Sequence, residues 1–115
     1  MTNPRAERVA GLLRRELATI VQQELEAELP GLISITDVEV SRDLSHARVY
    51  VAVLQIDQAS GIIRRLNEAA GQIRHALAGR VRLRTTPALK FHHDTSGESG
   101  QRIEQLLAAA RKSRG

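Results

Sequence analysis

The chain contains no cysteine, no tryptophan, one tyrosine and one phenylalanine in 115 residues. Without cysteine it has neither disulfides nor thiolate metal sites, which fits a reducing cytoplasm. Aromatics at 2% argue against a row of rings stacking successive bases, the device of RNP-type sheets and many OB-folds. No apolar run approaches the ~20 residues that cross a bilayer, and the opening MTNPRAERVA has no apolar signal core. A soluble, cytoplasmic, non-secreted protein without membrane attachment is expected. Internal repeats, low-complexity linkers, G-x-S-x-G and P-loop spacing are also missing; SGESG (Ser96–Gly100) lacks the P-loop lysine. His92-His93-Asp94 is the one group resembling a metal or catalytic cluster. Adjacent strand residues point to opposite faces, so the two histidines cannot share one ion. No enzyme activity and no cofactor are expected.

What is present is an ordinary globular composition, 42% hydrophobic and 26% charged, in a length that suits one domain over 1–115 with an ordered core of about 5–110. Val9, Leu12, Leu13, Leu17, Ile20, Val21, Leu25 and Leu29 recur every three or four residues. They predict a long helix from Pro4 to about Leu29, stopped by Pro30-Gly31. Ile33–Asp43 and His46–Ile56 are rich in β-branched residues at a period near two, and a short loop between them predicts an antiparallel hairpin. In its first strand Val38 and Val40 share one face, with Asp37 and Glu39 on the other.

Ile62, Leu66, Ala69, Ile73 and Leu77 form one helical stripe, and Gly71 projects opposite it. An interior helical glycine costs about 1 kcal/mol against alanine, so three readings arise. It bends or breaks the helix, it leaves bare backbone that a phosphate can approach beside new helix amides, or it is a tolerated surface glycine. Gly79 is expected to cap the second half. Ala88–Asp94 reads as a third strand behind Pro87. Thr95 and Glu98 stand at capping-box spacing, and a last helix is expected over RIEQLLAAARKSR, residues 102–114. The expected architecture is α+β in the order α-β-β-α-(kink)-α-β-α, a three-stranded sheet packed by helices.

The charge is unevenly spread. Between Ile62 and Lys90 stand seven basic residues and the single acid Glu68. That window carries +6 of a total of +4, which leaves −2 for the rest. Arg65, Arg74, Arg80, Arg82 and Arg84 are expected to form a strip along one edge of the kinked helix and its following loop, suited to phosphates. Local acids are too few to neutralise it. A protein-interaction module, in which the long first helix docks a partner and the basic strip meets acidic side chains, stays open beside RNA binding.

The α-β-β-α-α-β order resembles the type II KH fold, an RNA-binding architecture. In place of its usual G-x-x-G loop the chain has Ala69-Ala70-Gly71. That Ala-x-Gly interhelical kink resembles the ribosome-binding factor A family. RVAGLLRREL (Arg8–Leu17) looks like the first helix of that family. VSRDLSHARVYV (Val40–Val51) looks like its hairpin, and RLRTTPALKFHHDTS (Arg82–Ser96) like its R-L-R-x-x-P-x-L-x-F-x-x-D-x-S stretch. The likeness covers about Arg5 to Leu107. It implies a non-catalytic factor in small (30S) subunit maturation that binds near the decoding region and assists 16S rRNA processing and growth in the cold. It implies release with the help, in some bacteria, of a ribosome-associated GTPase. A monomer is expected. Carried over by position, the kink is Ala69 and Gly71, and the RNA-binding surface is Arg65, Arg74, Arg80, Arg82, Arg84 and Lys90. The chain departs from the family at His93, where an aromatic is common, and is expected to lack the long charged tail that some members carry. A general KH-type RNA binder without a ribosomal role is the remaining alternative.

Overall fold

A computed structural model describes residues 3–25, 28–29 and 33–98. The chain forms α1 (Pro4–Leu25), β1 (Ile33–Val40), β2 (His46–Val53), a 3-10 turn (Ile56–Gln58), α2 (Ala59–Glu68), α3 (Ala70–Arg80), β3 (Ala88–His93) and a 3-10 turn (Thr95–Glu98). This is the α+β order expected through the third strand. The expected last helix and the Pro30-Gly31 stop lie outside the described residues.

Helix α1 starts where Asn3 Oδ1 accepts from the Arg5 and Ala6 amides, at 3.0 and 3.3 Å, with Pro4 in the first helical position, which needs no amide. It is described to Leu25, and Leu29, the expected last residue, stands outside it. Leu29 precedes Pro30, and the proline ring disfavours a helical residue before it. The strands are also shorter than expected, ending at Val40 and Val53. Ser41 to Ser45 turn the hairpin. Asp43 accepts from the Ser41 and Ser45 hydroxyls at 2.8 and 2.7 Å and from the Ser45 amide at 3.1 Å. Leu44 takes a left-handed φ of 62°.

The sheet order is β1-β2-β3, with β1 antiparallel and β3 parallel to the central β2. The β1 apolar residues change parity along the strand, Ile33 and Ile35 being odd and Val38 and Val40 even. The register resolves this. Ile35 faces Val51 and Asp37 faces Tyr50, so Thr36 is one residue extra. That bulge turns all four apolar side chains to one face, where they meet Val53, Val51, Val49 and Ala47.

The three helices cover that face. Leu13, Leu17, Ile20 and Leu25 of α1, Val49 and Val51, Phe91, and Ile62, Leu66, Ile73 and Leu77 of α2 and α3 are essentially inaccessible to water. Each such side chain contributes about 1.5–3 kcal/mol on burial. The expected stripe Ile62, Leu66, Ala69, Ile73 and Leu77 is buried at every position. The free edge of β3 is closed by a side chain. Asn67 accepts from the Phe91 amide at 2.8 Å and donates to its carbonyl at 3.0 Å, imitating a fourth strand. No helix among the described residues is long and apolar enough to cross a membrane.

Candidate nucleic-acid interface

The helix does break, but at Ala69. This residue has φ −90° and ψ 3°, the bridge region between helical and extended backbone. Its amide donates to Arg65 C=O at 3.1 Å, closing α2. Its carbonyl accepts from Ile73 at 2.9 Å, opening α3. The break therefore falls two residues before Gly71, contrary to the expectation that the glycine makes it. Ala69 is buried at the junction of two helices that both pack on β3, so the position of the break follows from docking on the sheet. Gly71 lies in the first turn of α3 and is exposed. A Cβ there would meet nothing within 4 Å. No side chain caps α3. The result is uncovered backbone at a helix N-terminus, where amides without intrahelical partners and the helix dipole favour an anion. Gly79 is not a cap. It lies within α3, which runs on to Arg80 and ends in extended backbone at Val81.

The arginines do not form one uniform strip. Arg65 pairs with Glu28 and Arg80 with Glu16 at 2.6 Å, while Gln72 donates to Glu24 at 3.1 Å. Glu16 and Glu24 belong to α1 and bind α3, in reverse chain order, while Glu28 lies beyond α1 and binds α2. These acids are remote in sequence, so the expectation that acids are too few fails for Arg65 and Arg80. Arg74 donates through Nε and Nη2 to the Thr86 carbonyl, at 3.0 and 2.7 Å. It thereby pins the loop of residues 81–87 onto α3. In that loop Val81 and Pro87 are buried and Leu83 half-buried, while Arg82 and Arg84 are exposed. Among the described residues neither forms an ion pair. Lys90 is exposed on β3, on the face of the sheet opposite the helices, paired in register with Arg48.

Parallel pairing places the start of β3 beside the start of β2, and the Ala88 amide donates to Ser45 C=O at 2.9 Å. The 81–87 loop and the hairpin turn thus share one end of the sheet. Arg42 in that turn and Arg48 in β2 join Arg82, Arg84 and Lys90 there. Both lie outside the basic sequence window, and only the strand pairing reveals them. At the other end of β3 Asp94 receives the Ser96 amide and hydroxyl, at 3.0 and 2.5 Å; the expected pairing of Thr95 with the Glu98 side chain lies outside what is described. His92 and His93 alternate along β3, and no group of three or more His, Asp or Glu side chains able to hold a metal occurs among the described residues.

The ribosome-binding factor A family model matches residues 5–107. The chain is 43% identical over 103 residues to ribosome-binding factor A of Xanthomonas euvesicatoria, covering 90% of this chain and 79% of that one. It is 42% identical over 106 residues to that of Halorhodospira halophila, covering 90% and 84%. Among solved structures, the crystal structure of ribosome-binding factor A from Thermus thermophilus is similar at a TM-score of 0.66 and 32% identity, over 76% of this chain and 94% of that one. A homology model of the Thermus thermophilus protein, fitted into a cryo-EM map of its complex with the 30S subunit, is similar at a TM-score of 0.60 and 33% identity, over 72% and 88%. With the kinked helix pair in place and the match running nearly the length of the chain, the protein belongs to the ribosome-binding factor A family.

Proposed function

We propose that this protein is a non-catalytic assembly factor that binds the small ribosomal subunit during its maturation and assists the processing of 16S rRNA. Its RNA-facing edge is the exposed first turn of α3 at Gly71, set by the break at the buried Ala69, together with the loop held by Arg74. The observation that carries the reading is the pair Arg82 and Arg84, exposed and without carboxylate partners among the described residues. They stand on a loop fastened to the helix that begins at the break. Arg65 and Arg80, bound by Glu28 and Glu16, contribute by swinging to phosphate or not at all. Family membership and the Thermus thermophilus complex with the 30S subunit support the choice of ribosome over RNA in general. A protein-docking role for α1 is less well supported, because its apolar face is committed to the core. Action as a cytoplasmic monomer, support of growth in the cold, and release with a ribosome-associated GTPase belong to the same proposal.

The test is co-sedimentation in a sucrose gradient with free small subunits and with translating ribosomes, for the wild-type chain and for the double variant Arg82→Ala, Arg84→Ala. Binding to free subunits alone is expected. Removing two phosphate contacts should lower the slope of log affinity against log salt by about 1.4–1.8. An unchanged slope removes both arginines from the interface, and equal binding to translating ribosomes overturns the maturation role.

A further inference from the structure

The face of the sheet turned away from the helices has a pattern that the kinked-helix reading leaves unused. Strand register sets out its cross-strand rows as Glu39, Arg48 and Lys90, then Asp37, Tyr50 and His92. Glu39, Arg48 and Lys90 are exposed, and Tyr50 and His92 are half-buried. The Tyr50 and His92 rings stand side by side, with centroids 5.7 Å apart and planes tilted by 30°. Beyond them the face closes. Thr36 Oγ1 donates to Asp94 Oδ2 at 2.5 Å. The helices fill the other face of β2, so this bridge crosses the central strand on the outer side, and Ala52 there is buried. The outer face is thus divided. Acids lie on β1, with Asp37 accepting from the Val38 amide at 2.9 Å. Two rings and two cations lie on β2 and β3, and among the described residues Arg48 and Lys90 form no ion pair.

We propose that the β2–β3 half of this outer face is a second RNA subsite. It takes one unstacked nucleobase of a single-stranded segment on Tyr50 and His92, with the flanking phosphates on Arg48 and Lys90. The inference rests on the RNA-binding reading above but on separate residues. Every base has a π-face, so a ring pair flanked by cations binds a single strand without reading its sequence. The β1 acids repel phosphate and confine the strand to β2 and β3. Lys90 and His92 are two residues apart on one strand, hence ~7 Å, so base and phosphate contacts fall on neighbouring positions. The face is continuous with the proposed interface, because the loop bearing Arg82 and Arg84 leads directly into β3. The chain's own residues 99–115 are a poor occupant. They carry Arg102, Arg111, Lys112 and Arg114 against Glu104, a basic segment facing a basic half-sheet, whereas a polyanion is complementary.

Tyr50 is the single tyrosine in a chain without tryptophan, so intrinsic emission reports on this position alone. The full chain is titrated with a 12-nucleotide oligouridylate labelled for anisotropy, and separately with polyphosphate of equal charge. The oligouridylate should quench Tyr50 emission, and polyphosphate should bind without quenching it. Arg48→Glu with Lys90→Glu should weaken oligouridylate binding about tenfold or more and lower the salt slope by ~1.4. Tyr50→Leu should weaken it roughly tenfold with unchanged circular dichroism. The Arg82→Ala, Arg84→Ala variant should need more RNA to reach the same final quenching. RNA binding with unaltered Tyr50 emission and wild-type affinity in Arg48→Glu, Lys90→Glu overturns the subsite and leaves the kinked-helix interface standing. Absence of all RNA binding overturns both. Tyr50 shielded from acrylamide in the free protein, and unchanged by RNA, assigns the face to the chain's own segment and also overturns the inference.

Discussion

Replacing Gly71 with alanine should move stability and function in opposite directions. The built Cβ meets nothing within 4 Å, and the glycine has no left-handed φ. Nothing in the fold therefore requires glycine at this position. A mid-helix Gly→Ala change gains about 1 kcal/mol, and a compatible Gly→Ala change elsewhere gains about 0.4–1 kcal/mol by restricting the unfolded chain. In the first turn of α3 a gain of about 0.5–1 kcal/mol follows, visible as a rise in Tm of roughly 2–5 °C. The same methyl stands over the backbone that a phosphate must approach. Affinity for small subunits should fall several-fold for alanine and about tenfold or more for valine, a cost of about 1.4 kcal/mol or above. Valine's β-branch should offset most of the helical gain. The assay pairs urea denaturation with subunit co-sedimentation on the same samples. A stabilised Gly71→Ala protein that binds as wild type shows that the glycine is a tolerated surface residue. A destabilised one shows that the space around it is not open, and either result refutes the reasoning.

Two further perturbations test the frame that holds the interface. Asn67→Ala removes both hydrogen bonds to Phe91 and leaves a half-buried strand edge unpaired. It should cost about 2–3 kcal/mol and lower Tm by roughly 10 °C in thermal melts; a loss below about 0.5 kcal/mol would show that water closes the edge equally well. Asp43 is held at a pKa of about 2 against an ordinary 3.8, first by the Ser45 hydroxyl, then by the Ser41 hydroxyl and the Ser45 amide. Its folded pKa lies below the unfolded one, so its stabilisation is complete above pH 3.8 and disappears as pH falls toward 2. Asp43→Ala should therefore lower Tm at pH 7, with the difference from wild type shrinking below pH 4. A difference constant from pH 7 to pH 2.5 would remove the ionised carboxylate from the account.

Much of this architecture is legible in residue spacing. The stripe from Ile62 to Leu77 lies on one side of both α2 and α3 despite the break, because a break at Ala69 preserves the side facing the sheet. The hairpin and third strand follow from β-branched runs between turn residues. The shift in β1 from odd to even apolar positions is also written in the chain, although only the register with β2 identifies Thr36 as the extra residue. The site was less accessible. Propensity points to Gly71 as the helix breaker, yet the break lies at Ala69, since it depends on how two helices dock on β3. A count of nearby acids leaves Arg65 and Arg80 unpaired, yet their partners are Glu28, beyond α1, and Glu16, in the middle of α1, some forty to sixty residues earlier in the chain.

The sequence by itself determined the element types, the buried stripe and the local excess of positive charge, because these depend on periodicity and composition within a few turns of chain. Tertiary structure alone decided which arginines are bound within the molecule, and that Arg48, Tyr50, Lys90 and His92 stand together. Parallel pairing of β2 with β3 joins residues about forty positions apart, and no local pattern encodes a contact over that separation.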